Sequence, residues 1–181
     1  MHRKPLLALL EDYLIRHPDE VEAIRRLAIF VNENPECFER TLQAGHVTGS
    51  AWVVNQAGTH TLMTHHKKLN KWLQLGGHAD GESDILKAAL LEVEEESGLA
   101  NFKALSPAIF DIDIHPIPER GDEPEHFHYD VRFVVQAVGS DDYIVSDESH
   151  DLKWIEVSDV ASFNQETSVL RMAKKWLALS E

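Results

Sequence analysis

Residues 76–99 read Gly-Gly-His-Ala-Asp-Gly-Glu-Ser-Asp-Ile-Leu-Lys-Ala-Ala-Leu-Leu-Glu-Val-Glu-Glu-Glu-Ser-Gly-Leu. On a helix, Glu92, Glu95 and Glu96 fall at i, i+3 and i+4, which gathers three carboxylates on one helical face. Like charges so close repel one another, and a hard divalent cation with oxygen ligands is the obvious positive partner. Ser83 reads as the N-cap, Asp84 adds charge near the helix's positive end, and Gly98 reads as the stop. The competing reading for Glu92, Glu94, Glu95 and Glu96 is a solvated acidic face. A merely solvated helix, however, has no reason to carry the flanking Gly-Gly and Gly98-Leu99.

Working outward, residues 47–54 read as a strand, 55–58 as a turn and 60–65 as a returning strand. Upstream, residues 4–16 and 19–33 read as amphipathic helices, with Leu6, Leu9, Leu10, Tyr13 and Leu14 on one face of the first. Val21, Ile24, Leu27, Ala28 and Val31 do the same in the second. Downstream, strands are predicted near 107–115, 127–138 and 151–156, with a polar loop over 117–126. A helix over 166–179 closes the chain. Strands and helices interleave without regular parallel crossovers, which predicts an α/β (α+β) fold with a mixed sheet packed between helices. The domain reading is an N-terminal helical extension over residues 1–44 and one domain over 45–181. The helical pair suits a lid, a brace or a homodimer interface.

The chain has 181 residues, enough for one domain with a substantial core. Its 17 Lys and Arg face 31 Asp and Glu, a formal net charge of −14, which disfavours general adhesion to nucleic acid or to an anionic membrane. A nucleotide is still compatible with that charge, because a metal screens its phosphates locally. The single cysteine, Cys37, forms no internal disulfide, which suits a reducing cytosol, and its neighbours do nothing to activate it. The basic and apolar start imitates a leader, but Glu11 and Asp12 cut the apolar run short and no small-residue cleavage site follows. A cytoplasmic location is expected.

Anchored on Gly77, the quoted stretch resembles the signature of the Nudix hydrolases (MutT-like proteins), G-x5-E-x7-R-E-U-x-E-E-x-G-U with U a bulky apolar residue. Glu92, Val93, Glu95, Glu96, Gly98 and Leu99 all fall in place. The strand over 47–54 and the hairpin before the box fit as well, and so does the later acid-then-Trp segment of Glu148 and Trp154. The resemblance implies an α/β/α sandwich and Mg²⁺-dependent cleavage of a nucleoside diphosphate linked to another moiety. Glu92, Glu95 and Glu96, with the carbonyl of Gly77, are implied as metal ligands, with Mn²⁺ an alternative ion. Chemistry agrees, because a polyanionic diphosphate enters an acidic site only with cations that neutralise its phosphates and activate water. Two positions depart from the signature. Leu91 stands where the box has Arg, and Ser83 where it has its first Glu, with Glu82 one position early. Those departures support a second reading, a Nudix-fold nucleotide-binding or regulatory module with little turnover.

Glu95 and Glu148 are the expected catalytic carboxylates. Glu148 resembles a loop carboxylate that some Nudix enzymes use as base or extra ligand, while Asp147 competes for that role and a solvated loop acid is the plain alternative. Eleven histidines are many for this length. His126 and His128 alternate on a strand and share a face with Asp130. A His-x-His pair with an acid suits a transition metal, but with no third ligand evident, substrate contact or a polar strand face is favoured. His78, inside the Gly-rich loop, is expected to contact substrate. Lys67 or Lys68 offers a phosphate contact or a solvated turn, and Trp52 and Trp72 offer base stacking or core packing. A Nudix-fold prenyl diphosphate isomerase is disfavoured, since Cys37 precedes the whole sheet.

Overall fold

The computed structural model of the chain describes residues 2–121, 124–147 and 149–179. The chain divides into two compact units, one of Met1–Ser50, Gly77–Ala89 and Ser106–Phe133, the other of Ala51–Gly76, Leu90–Leu105 and Val134–Glu181. The class is α/β with a mixed sheet, as the interleaved elements predict.

In the first unit, α1 (Lys4–Arg16) and α2 (Val21–Glu33) are joined by a 3₁₀ turn at Pro18–Glu20. Leu6, Leu10 and Tyr13 of α1 and Ile24, Leu27, Phe30 and Val31 of α2 are buried, the stripe their spacing predicts. The Tyr13 hydroxyl donates to Glu20 at 2.6 Å, and Asn34 ends α2 by donating its side-chain amide to the Phe30 carbonyl at 2.8 Å.

Both helices share one apolar core with parts of β1 (Gly45–Val54), β6 (Asp111–Ile117), β7 (His126–Ala137) and α3 (Ile85–Ser97). Val47, Ala89, Ile112, Val131 and Phe133 belong to it. The Phe30 and Tyr129 rings stack at 3.9 Å with 8° between their planes. Each fully buried large side chain here contributes about 1.5–3 kcal/mol.

Alternation along β7 sends Tyr129, Val131 and Phe133 into this core, so His126, His128, Asp130 and Arg132 take the other face of the strand. The antiparallel ladder with β6 sets Asp111 opposite Arg132, Asp113 opposite Asp130 and His115 opposite His128. One face of this sheet segment is therefore apolar and the other carries nearly all of its chemistry.

In the second unit the strand order is β3-β2-β1-β7-β5, with β8 paired to β2. Here β2 is His60–His66, β3 Lys71–Leu73, β5 Phe102–Ala104 and β8 Ser149–Glu156. Ala51, Val53, Leu62, Leu75, Val93, Val135 and Leu152 form its core. Helix α4 (Thr167–Leu179) buries Val169, Met172 and Ala173, and the Trp176 indole donates to the Gly58 carbonyl at 2.8 Å.

Three details differ from the expectations. The short strands β3, β5 and β4 (Leu75–His78) were not predicted, because three or four residues carry no periodicity and Gly76-Gly77 has low strand propensity. Strand β6 begins at Asp111 rather than near 107. The cap of α3 is Asp84, whose carbonyl accepts the Ala88 N–H at 3.0 Å while its Oδ1 accepts the Lys87 N–H at 3.2 Å. Ser83 lies one residue outside.

Candidate functional site

With Asp84 satisfying the first turn of α3, the preceding Glu82 is also engaged. Its Oε1 accepts the Asp84 N–H at 3.0 Å and its Oε2 pairs with Lys87 Nζ at 2.6 Å. The Lys87 hydrogen bond, joined by the Asp84 N–H, holds the Glu82 carboxyl below the usual carboxylate range. The early Glu of the box thus has a cation in place of the missing Arg.

Further along, Leu90 and Val93 pack into the second unit's core. The other side of the helix presents the carboxylates. Glu96 is only 6% exposed and its Oε2 accepts the Gly76 N–H at 2.8 Å. Glu92 is half-buried and Glu95 exposed, a gradient from an oriented acid to a solvated one. Leu91 is 45% exposed. Gly98 ends the helix at φ 58°, where a Cβ would meet Ile144 at 3.0 Å. Its N–H donates to the Glu94 carbonyl at 3.0 Å, closing the last turn. Gly77 lies in β4, in the first unit.

Glu148 lies outside the described residues. Lys67 Nζ donates to the neighbouring Asp147 carbonyl at 2.6 Å, so the Lys67 ammonium has a backbone partner. Trp52 is fully buried and belongs to the core, whereas half-buried Trp72 stacks on His65 at 5.0 Å. Cys37 is buried, and burial pushes its thiol up to about 11, an inert group as its neighbours imply.

Four histidines, His46, His78, His126 and His128, gather in the first unit. His78 and His128, both singled out in the sequence, meet His46, which was not. One ring nitrogen from each of the three lies within 4.8 Å of the others. Ring centroids are 4.9 Å apart for His46–His78, 4.7 Å for His46–His128 and 5.2 Å for His78–His128. His126 joins through its Nε2, 3.3 Å from that of His128. Burial, reinforced by the neighbouring imidazoles, lowers His46 to about 4 and His128 to about 2. Both rings are therefore neutral near pH 7 and keep a lone pair.

A second polar group on the same strand also escaped sequence reading. Arg132 is 2% exposed and faces three carboxylates, with Nε 2.7 Å from Asp130, Nη1 3.1 Å from Asp111 and Nη2 3.6 Å from Asp113. Thr48 and Ser50 hydroxyls donate to the other Asp130 oxygen at 2.9 and 2.6 Å. Burial opposes the Arg132 charge, but the three carboxylates outweigh it and its pKa is raised. The alternation of His126, His128, Asp130 and Arg132 on one strand was the available signal. What it lacked was the register that brings Asp111 and Asp113 opposite.

A family model described as NUDIX domain matches residues 45–177. Among solved structures, one of an Ap4A hydrolase from C. elegans in a binary complex superposes with a TM-score of 0.56 at 17% identity, covering 74% of this chain and 96% of that one. A NUDIX-family hydrolase from Clostridium perfringens gives 0.53 at 24% identity, covering 74% and 97%. A MutT protein from Methanosarcina mazei Go1 gives 0.58 at 14% identity, covering 77% and 98%. At these identities the likeness is one of fold. A search of curated proteins finds no match.

Proposed function

The chain belongs to the NUDIX domain family and is a Nudix-type pyrophosphohydrolase acting on acid anhydrides, and from that premise we propose that it cleaves the diphosphate of a nucleoside diphosphate linked to another moiety, with Mg²⁺ or Mn²⁺ as the cation. The observation that carries the reading is the carboxylate face of α3. Glu92, Glu95 and Glu96 offer only hard oxygen donors, the set that suits Mg²⁺ or Mn²⁺. Glu96 is oriented before any ligand arrives, because the Gly76 N–H donates to its Oε2 at 2.8 Å. A bound cation supplies neutralisation of the phosphates and activation of the attacking water.

The chain's own residues supply the rest. Glu92 and Glu96, the less exposed acids, hold the cation. Glu95, exposed to solvent, is placed to exchange protons with water, and Glu148 is the alternative base. His78 belongs on the substrate side, next to Gly77. The −14 charge makes the metal complex of a small nucleotide, rather than nucleic acid or a membrane surface, the fitting partner. No described helix is long and apolar enough to cross a membrane.

The test is a screen of ADP-ribose, dinucleoside polyphosphates, nucleotide sugars and oxidised nucleoside triphosphates with Mg²⁺ and with Mn²⁺, following phosphate or monophosphate release. At least one compound is expected to turn over, and Glu96→Gln is expected to lower kcat by about a hundredfold or more, a loss of roughly 2.7 kcal/mol of transition-state stabilisation. Unchanged turnover in Glu96→Gln overturns the metal assignment. Saturable nucleotide binding with no hydrolysis of any compound overturns the proposed turnover in favour of a nucleotide-binding or regulatory module.

A further inference from the structure

We propose that His46, His78 and His128 form a binding site for a divalent transition-metal ion of the Zn²⁺ type, built on residues other than the carboxylates of α3. The site begins with a glycine. Gly45 has φ 136°, and a Cβ there would lie 2.4 Å from the Phe127 carbonyl oxygen. Only glycine lets β1 approach β7 so closely. Phe127 sits between His126 and His128, so this approach delivers His46, the next residue along β1, to that histidine pair. His78 ends β4 and completes the triangle.

Protons do not satisfy the group. His126 Nδ1 is 2.9 Å from the Pro124 carbonyl, which accepts only, so Nδ1 is the donor there. The Nε2 of His128 faces the Nε2 of His126 at 3.3 Å and the Nε2 of His46 at 3.1 Å. One imidazole nitrogen has either one proton or one lone pair, so His128 Nε2 serves one neighbour and not both. His46 is 2% exposed, and its Nδ1 is buried with no hydrogen-bond partner among the described residues. Bulk solvent does not reach the buried His46 ring to resolve the crowding at its Nε2.

A cation resolves it. Nitrogens about 2.0–2.1 Å from Zn²⁺ in a tetrahedron are about 3.3 Å apart, the spacing already present between His128 and its two neighbours. One nitrogen from each ring of the triplet lies within 4.8 Å of the other two. Neutral imidazoles without a carboxylate suit Zn²⁺, Co²⁺, Ni²⁺ or Cu²⁺ and suit Mg²⁺ poorly. Three histidines leave a fourth position for water or for His126.

The test uses the full chain, stripped with a chelator and titrated with Zn²⁺ by calorimetry, with Co²⁺ absorption as the report on geometry. One Zn²⁺ per chain with Kd below about 1 µM and cobalt ligand-field bands of low coordination number are expected. Excess Mg²⁺ leaves the site filled, and a Glu95→Gln/Glu96→Gln variant retains it, so failure of the hydrolytic assignment leaves this one standing. His128→Gln and His78→Gln are each expected to weaken Zn²⁺ by at least about a hundredfold, the upper end of what an outer-shell partner alone is worth. Circular dichroism confirms folding, and if His128→Gln does not fold, His78→Gln on half-buried β4 decides. Absence of saturable Zn²⁺ binding tighter than about 0.1 mM overturns the proposal. So does unchanged affinity in the folded histidine variants, or loss of the ion in the glutamine double variant.

Discussion

Arg132 shows how much a single buried group can decide. Its guanidinium is 2% exposed and its nearest partners, Asp111 and Asp130, have side chains 0% and 3% exposed. Three carboxylates against one guanidinium leave the cluster formally anionic, so the Thr48 and Ser50 hydroxyls donated to Asp130 matter as further compensation. Removing the guanidinium takes its positive charge away from buried Asp111 and Asp130. Arg132→Ala is expected to lower the unfolding free energy by about 3–5 kcal/mol, read from a shift in the urea midpoint at unchanged m-value. A change below about 1 kcal/mol, the range of an exposed pair, contradicts this account of the cluster. The sequence exposed only part of it. Asp130 was visible beside His126 and His128, but an Arg two residues further reads equally well as a solvated strand residue until its partners are known.

At the scale of elements, α3 was the most legible part of the chain, because its apolar period, its acids and its Gly98 stop are all local. Its first residue was misplaced by one position. Ser83 and Asp84 are both good caps, and the choice was made by Glu82, whose carboxylate takes the Asp84 N–H and the Lys87 ammonium together. Asp84→Ala is expected to destabilise the protein by about 1 kcal/mol and Ser83→Ala by only a few tenths. Thermal melts of the two variants side by side check the assignment, and the reverse order contradicts it. The short strands β3, β4 and β5 were illegible for the opposite reason. Strands of three or four residues exist because a longer neighbour offers hydrogen-bonding groups, and nothing in their own composition announces them.

For the molecule as a whole, the two N-terminal helices are the main question. They precede the family match at residue 45, yet Leu6, Leu10, Tyr13, Ile24, Leu27, Phe30 and Val31 are buried in the same core as Val47, Tyr129 and Phe133. At about 1.5–3 kcal/mol for each large buried side chain, the seven together amount to about 10–21 kcal/mol, comparable to the whole stability of roughly 5–15 kcal/mol of a domain. A chain lacking residues 1–40 is expected to aggregate or to lose its cooperative melt. A soluble truncated chain melting within a few degrees of the full protein contradicts this. What the sequence alone determined is local: the amphipathic helices, the β1–β2 hairpin and the carboxylates of α3, each specified by neighbours within one or two turns or one reversal of the chain. Family membership was legible for the same reason, since the box is a local string. Tertiary structure decided the rest. His46 and His128 are 82 residues apart and come within 3.1 Å, and Asp111 meets Arg132 only through the β6–β7 register. Strand pairing is a non-local choice, set by which faces the surrounding core requires to be apolar, so polar groups gathered on the opposite face become a site only after the fold has formed.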